Sequence, residues 1–396
     1  MVAKGLGRLC IMAGAARLEL GLPSELKTEG KSDMLPSEFK NEGNNMATLA
    51  TQTMFAELMQ RCLDAEFDET FTERGNFKKR RKGTRYYWCF QWDEDGKKRE
   101  TYAGPVTDKS ITDRVTRFAT IKSDYKQRRE MVRALLAAGL PAAAYPSGEI
   151  IEAFGRAGFF RLRGVLVGTL AYACYGSLLG VKLPAANLRT DDIDFAQFWG
   201  ISENVGESMR PPLEILRAFD PTFREVPNIN DPFVTTRYVN GSGFKVEFLT
   251  PNRGSDEHQS KPARMRALAG SGAQPLRHLD YLIHQPERSA ILYSGGVPVT
   301  IPRAERYAVH KLIVAVERQN QVKASKDIAQ AGGLIEILAV RRPLELAEAW
   351  SQAWAAGDRW KEKLTRGRER LSQEQRTLLA HVIGRAELAR NRAGKR

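Results

Sequence analysis

Asp192 and Asp194, one apolar residue apart in the run Thr190-Asp-Asp-Ile-Asp-Phe195, have the spacing with the clearest chemistry in this chain. In an extended strand alternate side chains share a face, so the two carboxylates project together while Ile193 and Phe195 turn toward a core. Two carboxylates held side by side repel each other unless a cation lies between them. Their hard oxygens suit Mg²⁺, with Mn²⁺ as the alternative, and two such ions roughly 3.5–4 Å apart are the usual companions of a nucleoside triphosphate in phosphoryl transfer. The bland alternative is a solvated strand end, where Asp is common. Asp191 points to the other strand face and stays outside the metal set.

Upstream, Val165-Leu166-Val167 reads as a short buried strand and Thr169 to Tyr175 as the helix that follows, which makes Gly168-Thr169 a strand-to-helix turn. Glycine lets a backbone approach a ligand closely. The Thr169 hydroxyl can cap the helix while the free N–H groups of the first turn face an anion. Arg189 and Thr190 lie close enough in sequence to touch the same nucleotide. Downstream, Thr235 to Val239 and Phe244 to Leu249 read as a hairpin around Asn240-Gly241. Alternation there puts Lys245, Glu247 and Leu249 on one face, so Glu247 is the natural third carboxylate, supplied by a neighbouring strand to the metal pair. An exposed polar position on an amphipathic strand is its competing explanation.

These segments resemble the signature of the DNA-polymerase-β-like nucleotidyltransferase superfamily: an apolar residue, Gly, a small residue, a spacer, then Asp-apolar-Asp/Glu-apolar. More narrowly, Leu166 to Tyr172, Leu179 to Leu183 and Thr190 to Gln197 resemble a bacterial group of nucleotidyltransferase-fold proteins, over about Gly75 to Trp360. Relatives of that group include nucleotidyltransferase toxins of abortive-infection systems. The run Tyr307 to Arg318 and the pair Lys326-Asp327 resemble the Lys-Leu helix and the basic-Asp element that follow the catalytic strands in those toxins. The resemblance implies roles for Lys311 in offsetting phosphate charge and for Lys326 and Asp327 in nucleotide binding, and an antitoxin or defence-system partner. A surface lysine and a helix-surface ion pair are the ordinary alternatives. Two departures stand out: the spacer from Thr169 to Asp192 is longer than the superfamily pattern, and Thr replaces the second Gly or Ser. A turn at Gly176-Ser177 gives a more standard spacing but falls inside the helical run, so Gly168-Thr169 is preferred.

The fold class expected is α/β (α+β): a polymerase-β-like nucleotidyltransferase core with a mixed sheet, a basic N-terminal hairpin and helix domain, and a helical C-terminal domain. Residues 1–45 read as a disordered extension with one weak apolar stretch, Leu9 to Ala16. Residues 46–145 form the basic domain, 146–302 the catalytic domain and 303–396 the helical one. Within the second segment, the basic run Lys78 to Lys82 precedes an aromatic strand, Arg85 to Trp92. Asp95-Gly96 is a strong hairpin signal before the return strand Lys97 to Tyr102. Lys361 to Arg396 is basic with little apolar content, which predicts a solvated or nucleic-acid-facing tail.

With 61 Lys and Arg against 47 Asp and Glu, the formal charge of +14 favours a polyanionic partner such as RNA or DNA. Lys79, Arg80, Arg81, Lys82 and Arg85 are the candidate nucleic-acid contacts, beside aromatics that either stack bases or build a core. No apolar run approaches the roughly 20 residues of a membrane helix. Cysteines at 10, 62, 89 and 174 have no metal or disulfide spacing and read as reduced thiols of a cytoplasmic protein. The function expected is Mg²⁺-dependent transfer of a nucleoside monophosphate from an NTP to an acceptor hydroxyl, with RNA or tRNA as the leading acceptor. A protein or small-molecule acceptor, or a silent nucleic-acid-binding fold, are the rivals.

Overall fold

A computed structural model describes residues 46–65, 75–82, 84–94, 97–188, 190–204, 207–254 and 261–393. The expectations for 1–45, the Asp95-Gly96 turn and Arg189 lie outside the described residues. Helix α1 (Leu49–Ala65) is followed by strands β1 (Asn76–Lys82), β2 (Arg85–Glu94) and β3 (Lys97–Pro105), and then by the long α2 (Lys109–Ala137). The basic run is therefore itself a strand, paired antiparallel with the aromatic one so that Lys79 lies opposite Trp88 and Phe77 opposite Phe90. Phe90 is buried, with Phe77 at 5.0 Å and Phe118 of α2 at 5.5 Å between ring centroids. Trp88 donates its indole N–H to Thr112 Oγ1 at 3.0 Å. Much of the aromatic alternation thus serves to dock this sheet on α2.

The second part of the chain continues with α3 (Ser147–Arg156), β4 (Val165–Val167), α4 (Gly168–Leu179), β5 (Asp192–Ala196), α5 (Trp199–Asn204) and α6 (Pro212–Phe219). After β6 (Arg224–Val226), β7 (Arg237–Val239), β8 (Lys245–Pro251), β9 (Ala263–Arg264), β10 (Gly272–Leu276) and the short α7 (Leu279–Leu282), β11 (Glu287–Ile291) and β12 (Val297–Ile301) make a separate hairpin. The main sheet runs β4-β5-β8-β10-β9, with β7 and β6 attached beside β8. It is mixed: β5 lies antiparallel to β4 and parallel to β8. Register is fixed by one face. Phe195 and Phe248 stack at 5.6 Å and Phe154 of α3 packs on Phe195 at 4.9 Å, so a one-residue slip would expose this aromatic core and bury the carboxylates.

The remainder is helical: α8 (Ala304–Glu317), α9 (Gln321–Arg341), α10 (Pro343–Ala355), α11 (Asp358–Glu369) and α12 (Gln373–Ala393). The Asn320 side chain accepts from Lys323 N at 3.1 Å and caps α9, which turns back along α8. The segment expected to be a solvated tail is instead packed. Leu364, Leu371, Leu378, Leu379, Val382 and Ile383 are buried in the same core as the sheet. Their helical spacing gathers the apolar minority on one stripe and leaves the basic majority outside, a pattern that composition alone conceals. Among the described residues no helix is long and apolar enough to cross a membrane.

Candidate active site

In β5, Ile193 and Phe195 are fully buried while Asp192 and Asp194 are partly exposed, which puts both carboxylates on the face away from the aromatic core. Asp194 pairs in register with Val167 on one side and with Glu247 on the other. Parallel pairing also puts Lys245 beside Asp192. The three carboxylates expected from sequence therefore share one face of two adjacent strands. Burial, with Asp192 and Glu247 close by, pushes the Asp194 carboxyl up to about 7, against the opposing pull of Lys311 and Arg318. Thr190, expected to touch the nucleotide, turns its hydroxyl onto a carboxylate oxygen of Asp192 and orients it.

Gly168 joins β4 to α4 with φ +71, in the left-handed region. A methyl placed there would lie 2.5 Å from Asp194 Oδ2. Conformation and space both demand glycine, and the turn lies directly against the Asp194 carboxylate. The helix begins at Gly168 with Val167 as N-cap and no side-chain cap, so Thr169 does not cap it as expected. Two residues past the N-cap position, the Thr169 hydroxyl instead accepts from Lys326 Nζ at 3.0 Å. Ser177 is buried near the other end of α4, eight residues from Thr169 and so about 12 Å along the axis. The preferred register is the one whose turn meets the aspartates.

The α8–α9 hairpin closes the site from a third direction. Tyr307, fully buried, lies within hydrogen-bonding distance of Gly168 O at 3.0 Å and Gln330 Oε1 at 2.9 Å, so its single O–H donates to one or shares between the two beside the turn. Lys311 is buried, and its Nζ donates to Asp327 Oδ1 at 2.5 Å. Arg318 Nε donates to the other oxygen, Oδ2, at 2.9 Å. Burial pushes the Asp327 carboxyl up, but the two cations outweigh it and hold it below the ordinary carboxylate range. Burial and Lys311 lower the Lys326 ammonium, with Asp192 and Asp327 opposing. Lys326, Asp327 and Lys311 are thus brought to one place beside the Gly168-Thr169 turn.

Sequence reasoning missed Tyr307, Arg318 and Arg237. Tyr307 is one helical turn before Lys311, a spacing that puts both on one face. Arg237 Nε lies 2.7 Å from Glu247 Oε1 in an ion pair, and the hairpin register around Asn240-Gly241 alone sets that pair opposite each other. The basic residues of β1 are remote in sequence and partly engaged: Arg80 pairs with Glu100 at 2.6 Å, and Lys79 Nζ lies 5.0 Å over the Trp88 ring. Arg85 is exposed.

Asp192 and Asp194 thus share one face of β5, with Thr190 on Asp192 and the Gly168 turn against Asp194. A family model described as Nucleotidyltransferase matches residues 146–355, more than half of the chain, from α3 through α10. The chain belongs to this nucleotidyltransferase family. No curated protein and no solved structure matches it. Every element that builds the site of this nucleotidyltransferase, from the β4–α4 turn to the α8–α9 hairpin, falls inside the matched span, whereas the β1–β3 sheet falls outside it. Among the described residues no three carboxylates, imidazoles or thiolates converge tightly enough for an all-protein metal cage. Mg²⁺ does not require one, because it is commonly held by one or two carboxylates together with substrate phosphates and water. The oxygen-only donors Asp192 and Asp194 fit that chemistry.

Proposed function

We propose that this nucleotidyltransferase moves a nucleoside monophosphate from an NTP onto an acceptor hydroxyl of an RNA, a tRNA or other RNA 3′ end, and releases pyrophosphate. The observation that carries the reading is the contact between Gly168 and Asp194: the phosphate-binding turn and the metal-binding carboxylate are adjacent, as a triphosphate chelated to Mg²⁺ requires. Asp192 and Asp194 would hold Mg²⁺, with Glu247 on the acceptor side. Bound there, Mg²⁺ would neutralise the triphosphate and make the acceptor oxygen a better nucleophile.

The chain's own groups account for the rest. The first-turn amides of α4 have no side-chain cap and would face the phosphates, and the glycine would let them approach. Lys326, on the Thr169 hydroxyl, and Lys311, on Asp327, supply positive charge while being held in fixed positions, so little reorganisation is needed when the phosphates arrive. Glu247 orients the acceptor hydroxyl or takes its proton. Thr190 keeps Asp192 in its binding rotamer. Membership of the polymerase-β-like superfamily, kinship with abortive-infection toxins, a cytoplasmic setting and a division of labour between residues 46–145 and the catalytic part belong to the same proposal.

A second acceptor class has an observation in its favour. Phe90 and Trp88 are engaged with α2, and Arg80 with Glu100, so the amino-terminal sheet offers fewer free stacking and phosphate groups than its composition suggests. Such a sheet can also contact a protein. Incubating the purified protein with each α-³²P-labelled NTP, Mg²⁺ and either total RNA or total protein separates the two. Label in RNA is the expected result. Label confined to protein would replace the acceptor, and no label in either would remove the transferase reading.

A further inference from the structure

The register of the main sheet gives the site a direction. Val167, Asp194, Glu247 and Arg237 lie on one line across β4, β5, β8 and β7. The Gly168 turn adjoins Asp194 at one end, and Arg237 lies beyond Glu247 at the other. A second line, two residues along, contains Asp192, Lys245, Val239 and Arg224 of β6. Val226 pairs with Arg237, so by alternation Arg224 shares the face of Arg237, Glu247 and the aspartates. Past the carboxylates, that face therefore presents Lys245, Arg237 and Arg224, all exposed, while Val246, Phe248 and Tyr238 on the opposite face are buried.

If the triphosphate occupies the Gly168-Thr169 end, the acceptor hydroxyl has to enter from the other side, over these three cations. The Arg237–Glu247 pair points to what accompanies that hydroxyl. A carboxylate oxygen held against a guanidinium is not open to the proton of an acceptor. Arg237 Nε lies 2.7 Å from Glu247 Oε1 in an ion pair, and the Arg237 side chain is 48% exposed. Releasing Glu247 requires a different anion for Arg237. A guanidinium fork matches a phosphate bidentately, and a phosphate one strand spacing, about 4.8 Å, from Glu247 would belong to the same strand end as the hydroxyl.

We propose that Lys245, Arg237 and Arg224 form the acceptor track of this enzyme, a set of phosphate contacts for the single-stranded 3′ end of a polynucleotide, and that Arg237 exchanges Glu247 for the terminal phosphate and so frees the carboxylate for the acceptor hydroxyl. The inference rests on the nucleotidyl-transfer reading. It selects a polynucleotide over a protein or small-molecule acceptor, because three cations along two register lines fit a repeating phosphate chain.

Anisotropy of a fluorescent single-stranded RNA oligonucleotide in EDTA-containing buffer, titrated over salt, tests the track without metal or turnover. Combined Arg224→Ala, Arg237→Ala and Lys245→Ala should weaken binding at least tenfold near 0.1 M salt and reduce the log–log slope by about 2, at about 0.7 per phosphate contact. Their KM for NTP should change less than twofold. Arg237→Lys should keep the slope, since charge is retained. Glu247→Gln should lose transfer yet bind RNA as tightly as the wild type or several-fold more tightly, because Arg237 is released. A triple variant with wild-type affinity and slope, or a Glu247→Gln variant that loses RNA binding, overturns the track even if the wild type labels RNA. A wild type that labels only protein overturns the nucleotidyl-transfer reading to RNA and the track with it.

Discussion

Gly168 concentrates the demands of the site in one residue. Its φ of +71 costs an L-residue about 1–2 kcal/mol, and a methyl would meet Asp194 Oδ2 at 2.5 Å. Either the turn or the carboxylate must then move. Gly168→Ala is expected to lower kcat/KM at least a hundredfold while reducing Tm by only a few degrees, as steady-state transfer assays and thermal melts would show. Thr169→Ala should raise the KM for NTP more than Ser177→Ala does, because Ser177 is buried about two turns further along α4; the reverse order would place the phosphate turn elsewhere. Asp192, Asp194 and Gly168 were legible in the sequence because their chemistry rests on local spacing: a period of two in a strand, and a glycine between strand and helix. Arg237 and Tyr307 were not. Their relevance depends on which residue of another element they face, and one sequence position carries no record of that.

At the scale of elements, the α8–α9 hairpin depends on Asp327. Its carboxylate is buried between Lys311 and Arg318, so Asp327→Asn leaves two cations facing a neutral amide in a poorly solvated place. A loss of about 3 kcal/mol is expected in urea unfolding at pH 7, within the range for breaking a buried pair from one side. The pH dependence has a definite sign. The folded-state value of Asp327 is depressed, so its stabilising contribution is present above the ordinary carboxylate pKa near 4 and is lost as pH falls through the lower folded value. The difference between wild type and Asp327→Asn should therefore shrink below about pH 4; a difference constant from pH 7 to pH 3 would show that the pair is not what Asn removes. The helices α8 and α9 could be read from apolar periodicity, and Lys311, Lys326 and Asp327 from resemblance. That Asp327 holds Lys311 while Lys326 holds Thr169 could not, because both follow from the turn at Asn320 that folds one helix onto the other. The packed α12 was missed for a different reason: the many charged residues around its six buried apolar ones lower the mean hydropathy without weakening the stripe.

Among the described residues, exposed positive charge lines the β1 strand outside the family span and also the face of the main sheet that carries Arg224, Arg237 and Lys245. If the β1 strand contributes to acceptor binding, neutralising Lys79, Arg80, Arg81 and Lys82 together should reduce the salt slope of RNA binding by about 2 with NTP affinity unchanged. The engagement of Arg80 by Glu100 keeps the loss below four full contacts. Unaltered binding across the titration would assign the β1–β3 sheet to protein contact or to support of α2. Asp192 and Asp194 are proposed as the metal-holding pair of a working transferase. The direct measurement is pyrophosphate release and α-³²P incorporation by wild type, Asp192→Asn and Asp194→Asn in Mg²⁺, with thermal melts as a fold control. Each variant is expected to lose at least a thousandfold in transfer while its Tm holds or rises, since like-charge repulsion at Asp194 is relieved. Transfer by either variant at the wild-type rate would contradict the claim.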